Sequence, residues 1–465
     1  MGARYWKPAG PLLLMLPNVT ALLLLAGAFL LLNGPPAAIR TSAIKINRGG
    51  LLPERLDKTR NCSRPCLDGI KPKECYFKLV LEPSITLNSN CSKCGNNKEE
   101  RPCVYADGVE RMTLAVNRRL PGTPMQMCEG DVVVVDVENY LPGLETSLHW
   151  HGQVQRGTPY MDGVPMITQC PIQSGTRFRY KFRASNPGTH FYHSHFVSHH
   201  ADGIFGPFIV RQSRSRDPHY KMYDHDLDEH VITIAPWTHS LLAYNLDFQE
   251  NLQISSLLIN GRGNFLDQDK RMKTEVPNAR FAVKWGKRYR FRLINAASLD
   301  CERYDVILEA NQEISSYWMK VKGHHKCENI HQDAVLIYDG AVITNLTNDD
   351  KLTTTNEHID TDLKLRSFGK KSYPELQSVK ADKTLFVPFD VFSFDNLDDK
   401  DINFNFTLDD LPYYPSYLYN RKRPVKLPQI NGVTFSYPSS PLLSQPEDVP
   451  RSAYCEERCK LTAGF

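Results

Sequence analysis

The sequence predicts an all-β chain made of β-sandwich domains in tandem, and three observations carry that prediction. Short strand-like runs at 112–116, 131–137, 146–151, 177–182, 188–193 and 208–210 are separated by turn pairs such as Pro121-Gly122, Pro142-Gly143, Ser174-Gly175 and Pro187-Gly188, the pattern of an antiparallel sandwich or barrel. A polar connector at 211–228 is followed by a second set of runs at 231–234, 256–260, 280–283, 289–294, 304–308, 317–321 and 335–338, and strand-like text resumes near residue 384. Finally, no stretch of useful length carries the three-to-four-residue apolar spacing of a helix.

Composition sets the class and the address. The 465 residues are 41% hydrophobic and 23% charged, ordinary for a globular chain, and a net charge of +4 is too small at this length to call for a nucleic-acid partner. Arg4 and Lys7 precede apolar text that runs to Leu32 and ends in small residues. Residues 1–38 therefore read as a secretory signal peptide or, since the apolar stretch nearly spans a bilayer, as a signal anchor. Residues 39–60 read as a linker. Six of the 12 cysteines (Cys62, Cys66, Cys75, Cys91, Cys94 and Cys103) crowd into 61–103, which predicts local disulfides and an extracellular address, secreted or membrane-anchored and facing outward. Glycosylation sequons at Asn61, Asn90, Asn345 and Asn405 fit the same address.

The chemistry is concentrated between 147 and 206. His149-Trp150-His151-Gly152 and His193-Ser194-His195 are both His-x-His pairs in strand-like surroundings. Residues i and i+2 of a strand share a face, so each pair aims two imidazoles at one point, and two such strands side by side converge four. Neutral imidazoles in that number suit zinc, copper, iron or nickel.

These residues also carry a family resemblance. His149-Trp150-His151-Gly152, Tyr160-Met161-Asp162-Gly163-Val164-Pro165, Thr168-Gln169-Cys170-Pro171-Ile172 and Gly188-Thr189-His190-Phe191-Tyr192-His193-Ser194-His195 resemble the first two copper motifs of the multicopper oxidases, insect laccases nearest among them. The resemblance implies cupredoxin domains, Greek-key β-sandwiches, at 104–215 with the copper motifs, at 229–345, and at 380–465, the last only begun. It implies copper as cofactor, with His149 in the type-2 position and His151, His193 and His195 in type-3 positions. It implies Asp162 as an acid close to the cluster, and Trp150 and Gly152 as shapers of the turn around the first pair. His199, His200, His324 and His325 match no ligand position. By resemblance the activity is oxidation of phenols or catechols coupled to four-electron reduction of O2 to water. Ferroxidase or ascorbate oxidase chemistry and a non-catalytic, secreted copper-binding chain are the alternatives.

Two departures from the family pattern matter. The run ending at Asn295 is joined to Arg303-Tyr304-Asp305 through Cys301-Glu302, where relatives have further strands, so the second domain reads as internally shortened near 301–302. The His-Pro-x-His-x-His and His-Cys-His motifs that supply the type-1 copper and the other half of the trinuclear cluster do not occur among the 465 residues. The chain by itself is therefore expected to hold half a cluster and not to turn over.

Overall fold

The structure is a computed structural model that describes residues 62–87, 103–244, 254–267, 273–297, 303–323, 330–341, 383, 386–387, 389–393, 426–430, 433–434 and 438–449. The apolar N-terminal stretch, the four sequons, Cys91, Cys94, His324, His325 and the Cys301–Glu302 junction lie outside the described residues.

The first sandwich contains β1 (Glu74–Ile85), β2 (Met112–Val116), β3 (Met125–Cys128), β4 (Val132–Asn139), β5 (Leu148–His151), β6 (Arg177–Arg183), β7 (Gly188–Ser194) and β8 (Phe205–Arg211), with a short helix α1 (Val197–Ala201) between the last two. One sheet runs β2-β1-β4-β6 and the other β3-β8-β7-β5. Both contain a parallel pair, β1 with β4 and β3 with β8, among antiparallel neighbours. Alternation explains the packing: Val133, Val135 and Val137 of β4, Leu79 and Leu81 of β1, and Tyr180 and Phe182 of β6 point into one buried core.

Residues 74–85 correct one expectation, since they lie in the interior of a sheet of the sandwich predicted to start at 104. The alternating burial of Cys75, Phe77, Leu79 and Leu81 places them there. The preceding residues are fastened to the same sandwich. Cys62 is bonded to Cys75, a local link, whereas Cys66 reaches Cys128 at the end of β3, 62 residues away. Between them Arg64 forms a two-pronged pair with the buried Asp131 carboxylate at 2.7 and 2.8 Å, which also accepts the main-chain N–H groups of Lys73 and Cys128. Burial alone would raise the Asp131 pKa, but these donors outweigh it and hold the carboxyl below its usual range.

The second sandwich contains β9 (Val231–Trp237), β10 (Ser256–Ile259), β11 (Arg280–Val283), β12 (Arg288–Asn295), β13 (Arg303–Glu309), β14 (Ser316–Lys322) and β15 (His331–Tyr338), in sheets ordered β10-β9-β12-β13 and β11-β15-β14. β12 pairs antiparallel with β13, Arg288 opposite Glu309 through Ile294 opposite Arg303. β13 and β14 are both edge strands, and Val306 stays exposed. Farther on, β16 (Phe389–Ser393), β17 (Lys426–Ile430) and β18 (Val433–Thr434) make a small antiparallel sheet.

Two contacts frame the site. The outer face of the β3-β8-β7-β5 sheet is partly covered by the second sandwich, where Phe191, Phe205 and Ile209 pack on Val231, Ala235, Ile294 and Ala296. A return segment at 438–449 lies along the loop after Asp162, and the N–H groups of Leu442 and Leu443 donate to the carbonyls of Met166 and Ile167 at 3.2 and 2.8 Å.

Candidate metal centre

Among the described residues β5 is an edge strand paired only with β7, in a register that sets His149 opposite His193, Trp150 opposite Tyr192 and His151 opposite Phe191. The two-residue period then divides the side chains. Leu148, Trp150 and Tyr192 go into the core, while His149, His151 and His193 come out on the other face. Trp150 thus lies in the core against Tyr180 and Phe182, both at 5.1 Å between ring centroids. This corrects its expected place in the turn, because a residue between two outward-facing strand positions must face inward. Gly152 does occupy the turn, at a φ of 90° that favours glycine.

Ligand nitrogens of His149, His151 and His193 all lie within 4.8 Å of one another. His195 is just past the end of β7; its ring is 5.6 Å from that of His149, and it is more exposed and outside that tight group. Nδ1 of His149 donates to the main-chain carbonyl of Asp162 at 2.7 Å, and Nδ1 of His193 donates to that of Ser194 at 2.8 Å. In both rings Nε2 is left as the nitrogen with the free lone pair. Nε2 of His193 faces Nδ1 of His151 at 3.3 Å. Two nitrogens bound to one ion at about 2.0–2.1 Å in a roughly tetrahedral arrangement are separated by about that distance. The residues present therefore fit a first-row transition metal held by imidazoles.

The surroundings work against a charge on His193 and His195. Phe191 stacks on both His151 and His193 at 4.9 Å, and the buried His200 of α1 stacks on His193 at 4.6 Å. Burial, with His200 beside it, pushes the His193 pKa from its usual 6.5 down to about 2. Burial alone brings His199 to about 4, and it is the main cause of the same value for His200. The Asp162 carboxylate lies 3.5 Å from Nδ1 of His149, farther than its own main-chain carbonyl.

Sequence reasoning missed Phe191 and His200. Phe191 was legible, being two residues from His193 and so on its face. His200 reaches the site only through the fold of α1, and nothing local signals it.

Paired imidazoles on the edge strand of an all-β sandwich form a group that could hold a transition metal. Residues 98–215 match a domain described as multicopper oxidase, and residues 228–301 match a second domain of the same description. The chain is 33% identical over 279 residues to a laccase of Trametes hirsuta, covering 51% of this chain and 52% of that protein. To laccase-2 of Agaricus bisporus it is 35% identical over 256 residues, covering 46% and 48%. A solved laccase from Botrytis aclada is similar at 26% identity and a TM-score of 0.47, covering 60% of this chain and 55% of that one. Two stretches of the chain, residues 98–215 and 228–301, are thus multicopper oxidase domains by their match. The chain spans about half the length of the curated relatives it matches, and the cofactor the family implies is copper.

Proposed function

We propose that this chain supplies the first-domain half of the oxygen-reducing copper centre of a laccase-like oxidase, with His149 in the type-2 position and His151, His193 and His195 in type-3 positions. The observation that carries the reading is the convergence of three imidazoles at the edge of one sheet, within 4.8 Å of one another. Copper in such a site supplies one-electron redox chemistry. The protein's part is to hold neutral imidazoles in fixed orientation, with Phe191 and His200 packed around His193. The Asp162 side chain stands close enough to relay protons near that centre. Phenols or catechols are the proposed reductants and O2 the oxidant.

The extracellular address belongs to the same proposal. Two disulfides in the first sandwich support an oxidising compartment. Among the described residues no helix is long and apolar enough to cross a membrane.

A non-catalytic copper-binding role is the second reading, since three converging imidazoles can hold an ion whether or not it turns over. Metal analysis and phenol-oxidation assays on the purified chain test both. We expect copper to be bound. No copper in the wild-type chain would overturn the metal reading, and oxidase turnover would overturn the second one.

A further inference from the structure

We infer that Ser147 and Gly163 are positioning residues for His149, acting together to lock its tautomer through a main-chain carbonyl. The inference rests on the reading of His149 as a metal ligand and extends it to residues that touch no metal.

The hydrogen bond that orients His149 goes to the peptide carbonyl of Asp162 at 2.7 Å, whereas the Asp162 carboxylate is 3.5 Å away. What fixes the ring is therefore whatever fixes the 162–163 peptide. Gly163 has a φ of 82°, and a Cβ there would lie 1.8 Å from the carbonyl oxygen of Leu148 and 2.9 Å from the backbone nitrogen of His149. Only glycine lets the loop lie that close to β5. The fully buried Ser147 hydroxyl donates to the Gly163 carbonyl at 2.7 Å. The Ser147 carbonyl accepts the N–H of His195 at 3.1 Å, so one residue ties the loop to the continuation of β7. Beyond Gly163 the loop closes on itself: the Val164 carbonyl accepts the N–H of Thr168 at 3.0 Å, and the Thr168 hydroxyl accepts the N–H of Val164 at 2.9 Å. On the other side the Asp162 N–H donates to the Pro159 carbonyl at 3.1 Å, so the Asp162 carbonyl is held from both sides. A ring that donates from Nδ1 must keep its lone pair on Nε2, and partners of this kind typically change metal affinity by about 10–100-fold when removed.

The test uses the full chain, metal-free and labelled with 15N-histidine, with ring tautomers read by long-range 1H–15N correlation. Wild-type His149 is expected as the Nδ1–H form. Ser147→Ala and Gly163→Ala are expected to shift it toward a mixture and to weaken Cu(II) binding by about 10-fold or more. Asp162→Ala, which keeps the main-chain carbonyl, is expected to leave the tautomer unchanged. So is Ser256→Ala, which removes a buried hydroxyl in the second sandwich. An Nε2–H ring in the wild type would overturn the inference without any variant, and so would an unchanged His149 in a folded Ser147→Ala chain. Failure of the wild type to bind Cu(II) while the tautomers behave as stated would refute the metal reading and leave the positioning intact.

Discussion

Replacing Trp150 tests whether the edge strand that carries His149 and His151 is held from behind. Trp150 is fully buried, and its ring packs among Tyr180, Phe182, Phe208 and Tyr192 at centroid distances of 5.1, 5.1, 5.9 and 6.1 Å. Truncation to alanine removes that packing and leaves a cavity, for a loss of roughly 3–5 kcal/mol. The indole Nε1 has no hydrogen-bond partner among the described residues. An unpartnered buried donor costs about 1–3 kcal/mol, so Trp150→Phe gives up ring volume but removes that penalty. We expect Trp150→Phe to lie within about 1–2 kcal/mol of the wild type and Trp150→Ala to lie several kcal/mol below it. Urea unfolding of the metal-free chain by circular dichroism measures the stabilities, and a Cu(II) titration of the same samples measures the site. Because among the described residues β5 is paired only with β7, the alanine variant should also bind Cu(II) more weakly. An alanine variant within about 1 kcal/mol of the wild type, or a phenylalanine variant worse than alanine, would refute the reasoning.

Three further outcomes are expected. Simultaneous His149→Ala and His151→Ala should abolish copper retention in metal analysis, whereas His199→Ala should leave the stoichiometry unchanged. Burial holds the His199 pKa at about 4 against a usual 6.5. Between those values the unfolded chain binds the extra proton and the folded chain does not. Stability should therefore fall as pH drops from 6.5 toward 4, by up to about 1.4 kcal/mol per pH unit, and His199→Gln should flatten that slope in urea midpoints taken across the range. Replacing Cys66 and Cys128 by alanine opens a loop of 62 residues, which in the chain-entropy picture is a loss of about 4 kcal/mol. Thermal melts of the double variant measure it.

The sequence alone made the strands and the imidazole pairs legible because both follow a period of two, which β-structure imposes on neighbouring residues. His149, His151 and His193 were readable for that reason. The same rule places Trp150 in the core, but the family motif drew it toward the turn. β1 was hidden by its cysteines: Cys75, Phe77, Leu79 and Leu81 alternate as a buried strand should, yet the crowding of cysteines reads as a separate segment. The link from Cys66 to Cys128 could not be read, since spacing does not fix connectivity. Nor could the orienting of His149 by the carbonyl of Asp162, because main-chain groups leave no mark in side-chain patterns.

The contact of Leu442 and Leu443 with Met166 and Ile167 also bears on how this lineage can tolerate changes in length. It joins points roughly 280 residues apart, and the entropy of closing a loop grows only with the logarithm of its size, by about 0.6 kcal/mol per doubling. Removing a few dozen residues from the intervening chain would alter that closure by about a tenth of a kcal/mol. The return segment can therefore find the loop beside the histidines whether the middle sandwich is long or short. Insertions and deletions there are tested against their own sheet edges, while the docking on the loop beside the histidines is nearly indifferent to them.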